Sequence, residues 1–370
     1  MELKEILKQS FKNAVNRVFL PAVYNIYRRG SIRRGSVIFA DSNTDTMPES
    51  MRLMYEEVKS RGLDVTLCLK DLRKLGFFGK VRFMVGFMKL YATAEYVFIC
   101  NYFVPVTSCK KRRGTKVIQL WHSCGLLKKF AYDTPLDISP YYKGEVTKNF
   151  SLITVSSKAC VPVWQRALKL QGRGARIVQP TGVSRTDVFF DKAYGDNCRQ
   201  RLYELRPELR GKRIVLYAPT FRGTAADPVI VGKEYADSLE EKLGEGWAVI
   251  QKLHPHIPQQ DSLPMTTGEL FACADVLVTD YSSLLFEYVL LRKPFVIFAP
   301  DYEQFKSQRG FYEDPSDFPC QLVTDGDALA QAVKNCFGTV ADEEYEKFVA
   351  HHMDGCTGDV TKRLADSIFK

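Results

Sequence analysis

Ser282 and Ser283 stand between an apolar run, Val276–Thr279, and a second apolar stretch that begins at Leu284. That order of residue types reads as a strand, a tight turn and a helix. The open amides of a helix start, together with two hydroxyls, suit an anion such as a diphosphate. Glu287, about one turn into the helix, could accept hydrogen bonds from ribose hydroxyls beside it. Either serine could also do no more than cap the helix.

Three other places are built alike. Val117–Leu120 delivers Trp121, His122, Ser123, Cys124 and Gly125, then Lys128 and Lys129 at an expected helix start. A histidine can be a general base near neutral pH, and neighbouring amides and lysines suit phosphate. A structural histidine closing the strand is the plainer alternative. Ile214–Tyr217 runs into Pro219, Thr220 and Arg222, a turn with backbone donors and an arginine fork for phosphate oxygens. The fourth strand end carries Lys252, His254, Pro255 and His256. Metal binding there lacks a third ligand close in sequence, so phosphate contact by one histidine, supported by the other, is the preferred reading.

Positioning these groups requires strands whose carboxyl ends share an edge, the place where function gathers in open parallel sheets. Apolar strand candidates are Val37–Ala40, Val65–Leu69, Tyr96–Cys100, Val117–Leu120 and Leu152–Val155 in the first half. Ile214–Tyr217, Ala248–Lys252, Val276–Thr279 and Phe295–Phe298 follow in the second. Helical stretches near 47–61, 80–93, 157–170, 233–243, 283–292 and 326–337 lie between them, with a polar joining region at 186–211. Alternation of this kind predicts an α/β fold with two Rossmann-like domains facing a cleft, spanning 35–190 and 191–370.

The first 34 residues form a basic amphipathic segment. Leu3, Ile6, Leu7, Phe11, Ala14, Val18 and Phe19 recur at helical spacing among Lys4, Lys8, Lys12 and Arg17, with an interruption at Pro21. Leu72–Tyr91 again interleaves phenylalanines with lysines and arginines. Together these segments predict a face that docks on an anionic membrane surface. The net charge of +9 favours a polyanionic partner, and no nucleic-acid-binding signature accompanies it. The ten cysteines are scattered without a CxxC pair, which fits reduced thiols in the cytoplasm better than a disulfide framework. Neither a signal peptide nor an apolar run long enough to span a bilayer is expected.

The strings LWHSCGLLKKF, LYAPTFRG, KLHPH, ADVLVTDYSSLLFEYVLLRKPFVIFAPDYEQF and RGFY occur in that order. In this the sequence resembles the CDP-glycerol glycerophosphotransferases of teichoic acid and capsule synthesis, over roughly residues 95 to 340. The resemblance implies a GT-B fold, with an acceptor- and membrane-facing N-terminal domain and a CDP-donor-binding C-terminal domain. It further implies attachment to the inner face of the bacterial membrane. His122 corresponds to the family's base. Arg185 and Asp187 correspond to its donor-phosphate motif, Pro219 and Thr220 to its Pro-Thr pair, and Lys252 and His254 to its strand-end cation and histidine. Ser282, Ser283 and Glu287 correspond to its serine pair and following carboxylate.

Implied chemistry is transfer of glycerol phosphate from CDP-glycerol to a lipid-linked saccharide or polyol-phosphate acceptor, releasing CMP, with His254 assisting His122. No cofactor and no metal is expected. The sequence departs from the family pattern at Ser123-Cys124-Gly125, at Ser184 and at Glu287, and the first of these changes keeps CDP-ribitol open as the donor. A GT-B nucleotide-sugar glycosyltransferase or sugar epimerase is the rival enzyme, and a lipid-binding scaffold is the non-enzymatic alternative.

Overall fold

The computed structural model describes residues 2–224, 227–253, 257, 263–339 and 341–370. The chain forms two compact units. The first runs to His122 and takes up Phe130–Asp187 and Gly355–Lys370; the second contains Ser123–Lys129 and Val188–Asp354.

The first unit is built on β1 (Arg33–Asp41), β2 (Asp64–Leu69), β3 (Ala94–Ile99), β4 (Lys116–Gln119), β5 (Leu152–Thr154) and β6 (Val178–Gln179). All pairings are parallel, in the order β2-β1-β3-β4-β5-β6. Near-continuous apolar runs such as Val37–Ala40 are what a parallel sheet covered on both faces demands. Val37, Phe39, Phe98 and Ile118 pack against Met51, Met54 and Val58 of the helix Glu49–Ser60.

The sequence placed 355–370 with the second half, whereas these residues cluster with the first. The helix Val360–Ile368 buries Val360, Leu364, Ala365 and Ile368 along one face, and three of them join the core beneath β1 and β3. Each large side chain so buried contributes about 1.5–3 kcal/mol, which draws the terminal helix across the chain's own domain order. Phe369 adds an edge-on ring contact to Tyr96 at 4.7 Å.

The N-terminal helix Glu2–Ala14 passes through a π-helical turn, Val15–Phe19, into a second helix, Leu20–Tyr27. Pro21 does not break this run. It occupies the first turn of the second helix, where a missing N–H costs least, and the widened turn lies just before it. Leu20 and Tyr24 are buried, and Tyr24 packs on Tyr91 of the helix Phe77–Tyr91 at 5.3 Å. Among the described residues, no helix is long and apolar enough to cross a membrane.

The second unit holds β7 (Arg213–Tyr217), a hairpin of β8 (Arg222–Thr224) and β9 (Asp227–Val229), then β10 (Trp247–Gln251), β11 (Val276–Thr279), β12 (Phe295–Phe298) and β13 (Gln321–Val323). Its parallel sheet runs β10-β7-β11-β12-β13. Core residues Val215, Tyr217, Val278, Val296 and Phe298 pack on Leu239, Leu243 and Val333 of the covering helices.

Candidate functional site

The carboxyl ends of β7 and β11 lie side by side, and Thr279 Oγ1 donates to the Ala218 carbonyl at 2.7 Å. That bond aligns Pro219 and Thr220 with Asp280, the residue directly after β11. The buried Asp280 carboxylate accepts from the Thr220 amide at 2.8 Å and from its hydroxyl at 2.8 and 2.9 Å. Pro219 is buried, so the Thr220 backbone is fixed from both sides.

Arg222 closes the arrangement. Its guanidinium meets Asp280 at 2.9 Å and Asp301, just beyond β12, at 2.8 Å, and donates to the Thr220 carbonyl and hydroxyl at 3.0 and 2.7 Å. Tyr281 and Phe305 flank it, with ring centroids 4.9 and 5.0 Å from the guanidinium carbon. Burial alone would lower the Arg222 pKa, but the hydrogen bonds and charges of Asp301 and Asp280 outweigh it and raise the pKa. Tyr281 donates its hydroxyl to Asp301 at 3.1 Å; burial and then the Asp301 charge push its pKa up. Two carboxylates therefore occupy the fork that the sequence offered to phosphate. Arg222 acts here as the strut that sets Thr220 and Asp301.

Ser282 is buried, and its Oγ accepts from the Leu284 amide at 3.4 Å. Ser283 is the residue before the short helix Leu284–Tyr288 and makes no capping bond through its side chain. Capping alone thus accounts for one hydroxyl and not for both. Glu287 lies in that helix and is only 5% exposed. Lys252, past β10, donates to the Met265 carbonyl at 2.8 Å, and burial lowers its pKa against a smaller opposing effect of Glu269. His254 lies outside the described residues, as does His256.

Residues 123–129 do not begin a helix at Lys128. Gly125 has φ +64°, and a Cβ there would lie 2.3 Å from the Phe286 ring, so only glycine fits. Leu126 and Leu127 are buried, and the segment pairs with the chain after Arg309, through Lys128 opposite Phe311 and Tyr312 N to Leu127 O at 2.7 Å. Two buried leucines and a left-handed glycine hold this segment extended, against the expectation drawn from its lysines.

In the first unit, β4 ends at Gln119 and the chain turns at Trp121, whose φ of 58° is costly for a bulky residue, at about 1–3 kcal/mol. Several contacts hold it. Its amide donates to Gln119 Oε1 at 3.0 Å, and its ring stands edge-on to Trp164 at 4.9 Å and to Tyr102 at 5.2 Å. Gln119 is itself oriented by donating to the Asn101 carbonyl at 3.0 Å, and Asn101 donates to the buried Asp41 at 2.6 Å. The turn presents His122 exposed, stacked on Trp121 at 4.8 Å, with Nδ1 3.1 Å from the Cys100 carbonyl. A carbonyl can only accept, so Nδ1 carries the hydrogen in the neutral ring and Nε2 carries the lone pair. That tautomer is the one a general base needs.

Arg185 donates to Ser50 Oγ at 3.0 Å, and its charge is felt at the Cys100 thiol, which burial raises and Arg185 counters. Asp187 accepts the amides of Val360 and Thr361 at 3.1 and 2.7 Å. Both its oxygens thus serve the start of the C-terminal helix. Sequence reasoning missed Asp280, Asp301, Asp41 and Gln119. Asp280 sits inside the Thr-Asp-Tyr-Ser-Ser string, so its place directly after a strand was the available signal.

The family model described as CDP-Glycerol:Poly(glycerophosphate) glycerophosphotransferase matches residues 22–370. A teichoic acid ribitol-phosphate primase of Bacillus spizizenii is 30% identical over 366 residues, covering 91% of each chain. A teichoic acid poly(ribitol-phosphate) polymerase of the same organism is 29% identical over 97% of this chain, which spans 60% of that relative's length. Among solved structures, the wall teichoic acid polymerase TagF aligns with a TM-score of 0.74 at 20% identity, covering 99% of this chain and 97% of the other.

Proposed function

The chain belongs to the CDP-glycerol:poly(glycerophosphate) glycerophosphotransferase family, and on that premise we propose that it moves a polyol phosphate, with CDP-glycerol as donor, onto a hydroxyl of a membrane-linked saccharide or polyol-phosphate acceptor. Its two parallel-sheet units are read as the lobes of a GT-B enzyme, with the base in the first and the donor contacts in the second. The observation that carries this reading is the fixed tautomer of His122, exposed and with Nδ1 at 3.1 Å from the Cys100 carbonyl.

In the proposed reaction His122 Nε2 takes the proton of the acceptor hydroxyl. The oxygen then attacks the phosphorus that bears the glycerol, the bond to the CMP oxygen breaks, and a phosphodiester and CMP result. Such transfer depends on positioning and charge stabilisation more than on covalent help from the protein. Ser283 and Ser282 are assigned to the diphosphate, Glu287 to the ribose, and Arg185, Lys252 and His254 to the charge growing on CMP. Thr220, whose amide and hydroxyl both donate to Asp280, fixes the residue that leads into the serine turn. Arg222 and Pro219 hold Thr220 in place, and Asp187 anchors the loop that carries Arg185. The test is incubation of the full chain with CDP-glycerol and a lipid-linked acceptor, followed by identification of the nucleotide released. Release of CMP that depends on acceptor supports the reading; release only from UDP-sugars overturns it.

Donor choice has a second reading. Both curated relatives described above are ribitol-phosphate enzymes, which favours CDP-ribitol. Competition between the two donors at equal concentration decides between them.

Docking on the inner face of the membrane belongs to the same proposal. Phe11, Val18 and Ile26 are exposed on the N-terminal helices, Phe77 and Phe78 on the helix Phe77–Tyr91, and Phe11 lies 6.2 Å from Phe77. Exposed Lys12 and Arg17 lie on the same helical run, and exposed Arg28 and Arg29 in the turn that follows it, the combination that binds anionic interfaces.

A further inference from the structure

His351 and His352 are used by none of this chemistry. They are neighbours near the end of the helix Glu343–Met353. Glu313 faces them from the segment that follows Phe311. Its carboxylate bridges the two rings, with Oε1 2.7 Å from His351 Nε2 and Oε2 3.2 Å from His352 Nε2. The three ligand atoms all lie within 4.8 Å of one another. His352 is fully buried, against Phe286 at 4.4 Å and Phe348 at 4.5 Å, while His351 is about half exposed. These side chains line a cavity of about 590 Å³, together with Asp314, Asp317 and Glu344.

We propose that Glu313, His351 and His352 form a binding site for a divalent transition metal of the zinc class. Two imidazoles and one carboxylate are a ligand set this ion accepts, with metal–ligand bonds of about 2.0–2.2 Å. Ligand atoms around a tetrahedral ion then stand about 3.3 Å apart. The separations from Glu313, one from each of its oxygens, are 2.7 and 3.2 Å, the second close to that spacing and the first a hydrogen-bond length that metal entry would widen. The exposed ring of His351 has the room to close the remaining gap, and the buried ring of His352 is held by its aromatic neighbours. The fourth position opens on the cavity, where the further carboxylates supply negative charge. Seated there, the ion ties the chain after Phe311 to the helix Glu343–Met353, which makes it a structural clamp within the second unit.

The competing description is a bare hydrogen-bonded bridge of the same three side chains, which needs no metal. To separate the two, the full untagged chain is stripped with a chelator and titrated with zinc chloride, and in parallel with cobalt chloride. The expected result is one saturable zinc equivalent per chain, a rise in Tm, and a cobalt spectrum with d–d bands but no thiolate charge transfer. His351→Ala and Glu313→Gln, both on partly exposed side chains, are expected to weaken zinc binding by about 100-fold or more while keeping the metal-free Tm near that of the parent. No saturable binding by the parent overturns the proposal. So does unchanged affinity in both variants, or a thiolate band, which would place the ion on cysteines.

Discussion

At the carboxyl edge of the first sheet the histidine is exposed with Nδ1 on a backbone carbonyl, whereas at the same edge of the second sheet an arginine and two aspartates are locked into one another. His122 has one ring nitrogen on the Cys100 carbonyl and its face on Trp121. Arg222 has nearly all its donors on Asp280, Asp301 and Thr220. The proposed base must exchange protons, so its surroundings have to orient the ring and leave it exposed. The proposed anion cradle must not rearrange when charge develops, which suits groups committed beforehand, as Arg222 and the Thr220 hydroxyl are to Asp280. It leaves the Ser283 hydroxyl, which makes no capping bond, as the proposed ligand group. One parallel-sheet topology carries both arrangements, and side-chain choice within a few residues of the strand end separates them.

Removing the exposed group is expected to have the largest effect. His122→Ala should lower turnover by two to four orders of magnitude (about 10²–10⁴-fold) with little change in stability, measured as CMP release alongside thermal melting. Near-normal turnover would take the base away from the first unit and collapse the contrast. Arg222→Met should behave in the opposite sense. Two carboxylates lose their counter-charge in a largely buried setting, at about 3 kcal/mol in a urea titration. If the variant instead melts like the parent and loses only donor affinity, Arg222 is a ligand group and not a strut.

Gly125→Ala tests how tightly the second unit holds the segment 123–129. A Cβ at 2.3 Å from Phe286, on a backbone at φ +64°, should cost about 2 kcal/mol. An unchanged melting point would mean that the segment is not pinned by Phe286.

The contrast was partly legible beforehand. Every strand expected from an apolar run is present. Those inside the sheets are covered on both faces and must be apolar almost throughout, while the edge strand Asp64–Leu69 keeps the pattern although it is mostly not buried. The short edge strands Val178–Gln179 and Gln321–Val323 carry no such signal and were not anticipated. The helix Val360–Ile368 is amphipathic in the sequence, but its partner is Phe39 and its neighbours, more than 300 residues away, and no local pattern encodes that choice. Site residues divide in the same way. His122 and Ser283 are legible as types placed after strands. The role of Arg222 is not, since whether its fork faces phosphate or Asp301 depends on β12 lying beside β11.

Asp187 gives the smallest effect and the finest test. Like Asp280 it is an aspartate accepting backbone amides, but its partners are the first amides of the helix Val360–Ile368. Asp187→Ala should therefore cost about 1 kcal/mol, the worth of a lost helix cap. The loss should be local, appearing as faster amide exchange in 360–368 with the KM for donor unchanged. The family resemblance assigns this residue to the donor phosphate, and that role makes a different demand. A raised donor KM with undisturbed exchange would mean that Asp187 meets the ligand, and the division between an exposed histidine at the first edge and a charge-locked second edge would have to be redrawn.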